Sequence, residues 1–112
     1  EVGAGTGSLT GNLLRIFQAY EKSVGAPAFS QYTYTDISSA FFEAAKARFA
    51  EFENEGRLLF QTFDLDHDAL AQGFVPHTYD LIIAGSVVHA TSNIKSTLQK
   101  LRTLLKPHGK LV

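Results

Sequence analysis

The segment Tyr79-Asp80-Leu81-Ile82-Ile83-Ala84 is an almost unbroken apolar run, too short for a typical helix and without the polar alternation of a half-wet strand. Such a run suits a parallel sheet covered on both faces. Parallel neighbours need long crossovers, and these are usually helices. The rest of the chain supplies the matching pieces. Leu9, Leu13, Ile16, Phe17 and Tyr20 recur at helical spacing from Ser8 to about Ser23, and Gly25 and Pro27 then stop the helix. After a loop over 23–30, Gln31 to Ile37 reads as a strand, with tyrosines alternating with threonines. Ser38 or Ser39 can cap a second helix running to about Asn54, with Phe42, Ala45, Phe49 and Phe52 on one face and Gly56 beyond its end. Leu58 to Phe63 is a further strand. Ile94 to Leu105 is an amphipathic helix with Leu98, Leu101 and Leu105 on one side, and Pro107-His108-Gly109 turns the chain into a last strand at Leu111-Val112. This alternation predicts an α/β fold built from right-handed crossovers.

The 112 residues suffice for one small domain, and 45% apolar content suffices for its core. A net charge of -1 with interspersed signs leaves no basic stripe for nucleic-acid phosphates. The absence of cysteine excludes a disulfide framework, a thiolate zinc site and a cysteine nucleophile within these residues. No metal is expected. No apolar run reaches membrane-spanning length, so neither a membrane nor a nucleic-acid partner is expected. The chain starts inside a motif and without Met, from which a piece of a longer protein, incomplete at both ends and marginally stable alone, is expected.

Open α/β sheets bind ligands beyond the carboxyl ends of their strands, and the polar motifs fall there. In Glu1-Val2-Gly3-Ala4-Gly5-Thr6-Gly7, glycines at alternate positions let the backbone approach a ligand closely. Their spacing differs from the dinucleotide fingerprint, and Glu1 suits an ammonium group better than a pyrophosphate. An ordinary tight turn is the plainer alternative. Asp36, at the end of the second-strand candidate, can accept hydrogen bonds from both ribose hydroxyls or can cap the following helix. Asp64 next to apolar Leu65 offers an acceptor and an apolar surface, as an adenine requires. The neighbouring Asp66 and Asp68 leave a solvated acidic turn possible, while a calcium loop lacks its glycine and terminal Glu.

Taken in order, these motifs resemble class I S-adenosylmethionine-dependent methyltransferases across nearly the whole chain. The resemblance implies a Rossmann-like three-layer sandwich with a mostly parallel sheet, residues 1–112 being a partial S-adenosylmethionine-binding domain. It also implies cofactor contacts from Glu1, Gly3, Gly5, Gly7, Asp36, Asp64 and Leu65. Gln72-Gly73-Phe74, Tyr79 to Ala84, Val87-Val88-His89-Ala90-Thr91 and Leu104 to Val112 are similar, more narrowly, to the C-methyltransferase domain of fungal highly reducing polyketide synthases, with His108 standing where that family usually has glycine.

His89 follows the apolar strand closely enough to project from its carboxyl edge. Carbon methylation between two carbonyls needs an α-proton removed, and an imidazole titrates in the right range for that base. A histidine that merely caps the next helix is the alternative from the residues alone. The resemblance implies the catalytic role, with a partner Glu expected beyond Val112. It further implies a substrate borne on an acyl carrier protein, other synthase domains on the same polypeptide, and a cytoplasmic setting. A stand-alone O- or N-methyltransferase, an inactive scaffolding domain and a nicotinamide-dependent reductase are the rival readings, the last disfavoured by the glycine spacing and Glu1.

Overall fold

The computed structural model describes residues 1–85 and 91–112. Helix α1 (Ser8–Val24) follows the glycine turn and ends at Gly25, whose left-handed backbone lets its N–H reach Glu21 O. Strand β1 (Tyr32–Asp36) leads through a 3₁₀ turn (Ser39–Phe41) into α2 (Phe42–Arg48) and α3 (Ala50–Asn54). Strand β2 (Leu58–Thr62), a second 3₁₀ turn (Leu70–Gln72), β3 (Tyr79–Ile82), α4 (Ile94–Leu104) and β4 (Leu105–Leu111) complete the order. The Ser38 hydroxyl caps the second helical region by accepting from Ala40 N. That region is one helix in the sequence pattern but breaks at Phe49 (φ -111°, ψ 35°).

Among the described residues all strand pairing is parallel. β1 pairs with β2 from Tyr32–Leu58 to Asp36–Thr62, and β3 pairs with β4. The segment Glu1–Ala4 joins the two halves. On one side Thr35 N donates to Glu1 O (3.0 Å) and Ala4 N to Thr35 O (2.9 Å); on the other Val2 N donates to Ile83 O (2.9 Å), with Val2 bridged to Ala84. The lateral order is therefore β2, β1, the Glu1–Ala4 segment, β3, β4, and the chain reverses its direction of travel across the sheet at that segment. This is the topological switch point at which open α/β sheets bind ligands.

A core lies on each face. Ala4, Leu14, Tyr32, Tyr34, Phe42, Ala45, Phe49, Phe52 and Leu58 bury α1, α2 and α3 against one side, with Tyr34 and Phe60 ring centroids 5.2 Å apart. Val2, Phe63, Leu65, Ala69, Phe74, Ile82, Leu101, Leu104 and Leu105 bury α4 against the other, where Phe63 and Phe74 centroids lie 4.5 Å apart. The aromatic residues thus serve packing.

Three expectations are corrected. α1 does not bury the face its apolar spacing suggests: Ile16 and Tyr20 are 64% and 56% exposed, while Thr10 and Leu14 are inside. In α4, Leu98 is exposed and Leu105 already belongs to β4, so Thr97, Leu101 and Leu104 face the core. The Pro107-His108-Gly109 turn lies within β4: the register jumps from Tyr79–Leu105 to Leu81–Lys110, so the intervening residues bulge out of the ladder. β3 itself is regular only to Ile82, and Leu81 on its open face is partly exposed.

Candidate functional site

Gly3, Gly5 and Gly7 all have positive φ (65°, 55° and 86°), the left-handed region that side chains disfavour. The chain coils back on itself here, with Gly7 N donating to Ala4 O (3.0 Å) and Gly11 N to Gly7 O (2.8 Å). A Cβ on Gly7 would approach the Phe49 ring to 3.0 Å and the Tyr34 hydroxyl to 3.2 Å. Gly5 differs, for nothing lies within 4 Å of where its Cβ would stand. Packing therefore requires glycine at position 7, whereas at position 5 it keeps a stretch of backbone bare.

Asp36 ends β1 beside this turn, buried and oriented by two amides. Gly5 N donates to its Oδ2 (2.9 Å) and Ser38 N to its Oδ1 (3.1 Å). A carboxylate oxygen accepts two hydrogen bonds, so each retains one acceptor position. Asp36 does not cap the helix, a task that falls to Ser38.

Glu1 lies on the other side of the turn. Its Oε2 accepts from Tyr32 OH (2.7 Å) and from Thr10 Oγ1. Burial, then the Glu1 carboxylate, drives the Tyr32 phenol far above its ordinary pKa, so it remains a donor. Tyr34 donates to Gly5 O, and burial with the Glu1 and Asp36 carboxylates pushes its pKa up to about 12.

Asp64 follows β2, next to the Asp36 strand end, where Phe63 N donates to Asp36 O (2.9 Å). Its Oδ1 accepts from Asp66 N (3.0 Å), and its Oδ2 lies 2.9 Å from His67 Nδ1. Gln72 closes the loop by donating to Asp64 O (2.9 Å) and accepting from Asp64 N (2.8 Å). Leu65 packs its side chain into the core, and Lys100 Nζ donates to its carbonyl (3.0 Å). The exposed apolar residue at this edge is instead Ile37, 69% accessible, directly after Asp36. Asp66 Oδ1 accepts from Ser92 N (3.0 Å) and Ser92 Oγ (2.9 Å), tying the loop to the start of α4. Those bonds hold its carboxyl below the usual range.

Glu1, Gly5, Gly7 and Asp36 are thus tied together by hydrogen bonds around the turn that also carries Gly3, with Asp64 on the adjoining strand end. His89 lies outside the described residues. Thr10, Tyr32, Asp66 and Ser92 carry no local sequence signal for their roles, since their partners lie between 9 and 31 positions away. Among the described residues no helix is long and apolar enough to cross a membrane, and no group of acidic, histidine or cysteine side chains could hold a metal. A cavity of about 450 Å³ between β1 and β3, lined by Tyr32, Thr33, Tyr79, Leu81 and Ile82 among others, does not include the glycines, Asp36 or Asp64.

Comparison with known proteins gives concordant results. A family described as "Methyltransferase domain" matches residues 1–111. Highly reducing polyketide synthase 2 of Gibberella zeae is 49% identical over 112 residues, all of this chain but 4% of that protein. The structure of the trans-methyltransferase CalH in complex with SAH superposes with a TM-score of 0.83 at 39% identity, over 98% of this chain and 29% of that one. The DszA carbon methyltransferase gives 0.80 at 38% identity, over 98% and 26%. The chain therefore spans a small part of these relatives, and its α/β fold is theirs.

Proposed function

The chain belongs to the methyltransferase-domain family, and from that premise we propose that it is the cofactor-binding core of an S-adenosylmethionine-dependent C-methyltransferase of the polyketide synthase type. The observation that carries this reading is the Asp36 carboxylate, held by the Gly5 amide at the sheet's switch point. Its two free acceptor positions suit the pair of hydroxyls on a ribose. The open backbone at Gly5 suits an amino-acid tail, and the Glu1 carboxylate its ammonium. Asp64 keeps acceptor capacity for an adenine amino group, with Ile37 offering the apolar surface that buried Leu65 does not. When bound, S-adenosylmethionine supplies an electrophilic methyl group.

His89 is the proposed base. It would take the α-proton of a β-ketoacyl thioester on an acyl carrier protein, leaving a nucleophilic carbon. Similarity to a polyketide synthase and to a carbon methyltransferase supports carbon as the acceptor over oxygen or nitrogen, and neighbouring synthase domains on one polypeptide as the setting.

Calorimetric titration with S-adenosylhomocysteine and with NADP, side by side, tests the cofactor reading. The former is expected to bind, and Asp36→Ala to weaken it at least about tenfold, the value of a hydrogen bond to a charged group. Unchanged affinity in that variant would overturn the assignment. Replacing His89 by Ala should leave binding intact while lowering methylation of a β-ketothioester by roughly 10²–10⁴-fold, the usual contribution of a general base. A full-length protein that binds cofactor yet transfers no methyl group would favour a scaffolding role.

A further inference from the structure

Tyr32 and Thr10 spend their hydroxyls on one atom. Tyr32 OH lies 2.7 Å from Glu1 Oε2, and Thr10 Oγ1 donates to the same oxygen. Both side chains are buried, Thr10 completely. Their elements arrive independently, Thr10 from the first turns of α1 and Tyr32 from the start of β1. The Tyr32 ring is fixed edge-on against Phe29, with centroids 5.9 Å apart. A buried threonine and a buried tyrosine whose hydroxyls lacked an acceptor would each leave a polar atom stranded; the two hydroxyls adjoin each other, and this carboxylate accepts from both. Two donors fill the acceptor capacity of Oε2 and leave Oε1 free of them.

We propose that Thr10 and Tyr32 are positioning residues for ligand recognition: together they lock Glu1 by one oxygen in a fixed orientation, so that the other oxygen serves the ammonium of the ligand's amino-acid tail. The inference rests on the reading of Glu1 given above. The two hydrogen bonds remove the rotational freedom of a glutamate side chain before the ligand arrives, an ordering that binding would otherwise have to supply.

The test uses the complete protein and two ligands that share the adenine and ribose: S-adenosylhomocysteine, which carries the amino-acid tail, and methylthioadenosine, which lacks it. Tyr32→Phe and Thr10→Val keep the shape and remove one donor each. Each is expected to weaken S-adenosylhomocysteine roughly tenfold and to leave methylthioadenosine unchanged. Thr10→Ser, which restores a hydroxyl, should recover the affinity. Glu1→Gln separates the two levels of the argument. If it spares both ligands equally, the role of Glu1 itself falls. If it weakens only S-adenosylhomocysteine while Tyr32→Phe and Thr10→Val do not, Glu1 stands and the positioning role is overturned. Equal weakening of both ligands in the Tyr32 and Thr10 variants would identify them as general supports of the fold and overturn the proposal as well. Thr10→Val offers a second route should Tyr32→Phe fold poorly.

Discussion

Two glycines two positions apart make different demands on the chain. Gly5 has positive φ but empty space where a Cβ would go, whereas Gly7 has positive φ and two aromatic side chains in the way. An alanine forced into the left-handed region costs roughly 1–2 kcal/mol. Gly5→Ala should therefore lose about that much stability, yet weaken the cofactor strongly by placing a methyl group on the bare strip. Gly7→Ala should lose about 2–4 kcal/mol, since overpacking adds to the backbone term. Urea melts of both variants, with and without S-adenosylhomocysteine, check the contrast; equal melts would refute it. This distinction is invisible in the sequence. That the turn needs glycine was legible from spacing alone, and so was the place of Asp36 at a strand end. The anchoring of Glu1 was not, because Thr10 and Tyr32 meet it only after a helix and a strand have folded back.

Helix faces were less legible than helix positions. α1 spreads its apolar residues over a broad arc, so its period could be read more easily than the exact face that packs. The structure turns Thr10 and Leu14 inward and leaves Ile16 and Tyr20 outside. A threonine on the inner face looks costly until its partner, the Glu1 carboxylate, is known. Likewise the break at Phe49 has no proline or glycine to announce it; its ring lies over Gly7, a contact made across elements. The link between Asp66 and Ser92 also belongs to this scale, joining the loop after β2 to the entry of α4. Because the native state holds Asp66 below its ordinary pKa, its contribution is present above the unfolded value and is lost as pH falls through the folded one, below about pH 4. Amide exchange at Ser92, corrected for the intrinsic pH dependence, should lose protection on acidification, and Asp66→Ala should remove that protection at neutral pH. Pre-existing weak protection at Ser92 would contradict the link.

At the level of the whole molecule, Glu1 to Ala4 bridges the β1–β2 and β3–β4 pairs, and Phe63 and Leu65 after β2 pack with Ile82, Leu101 and Leu104. The α/β class and parallel pairing were predictable from the apolar run at Tyr79 to Ala84 and the alternation of elements. The seam was not, since a single bridged residue, Val2, has no sequence pattern of its own. These 112 residues expressed alone should unfold at low urea concentration with a shallow transition, because so small a domain buries little apolar surface; a steep transition at high urea would count against this. The strip that a nucleoside ligand would lie on holds the end of β1 through Gly5 and Asp36 and abuts Ile83 through Val2. An occupant would clamp these strand ends, adding about 2.7 kcal/mol of stability at a hundredfold excess over its dissociation constant. Because that increment follows the logarithm of the ligand concentration, it would shrink while most molecules were still occupied.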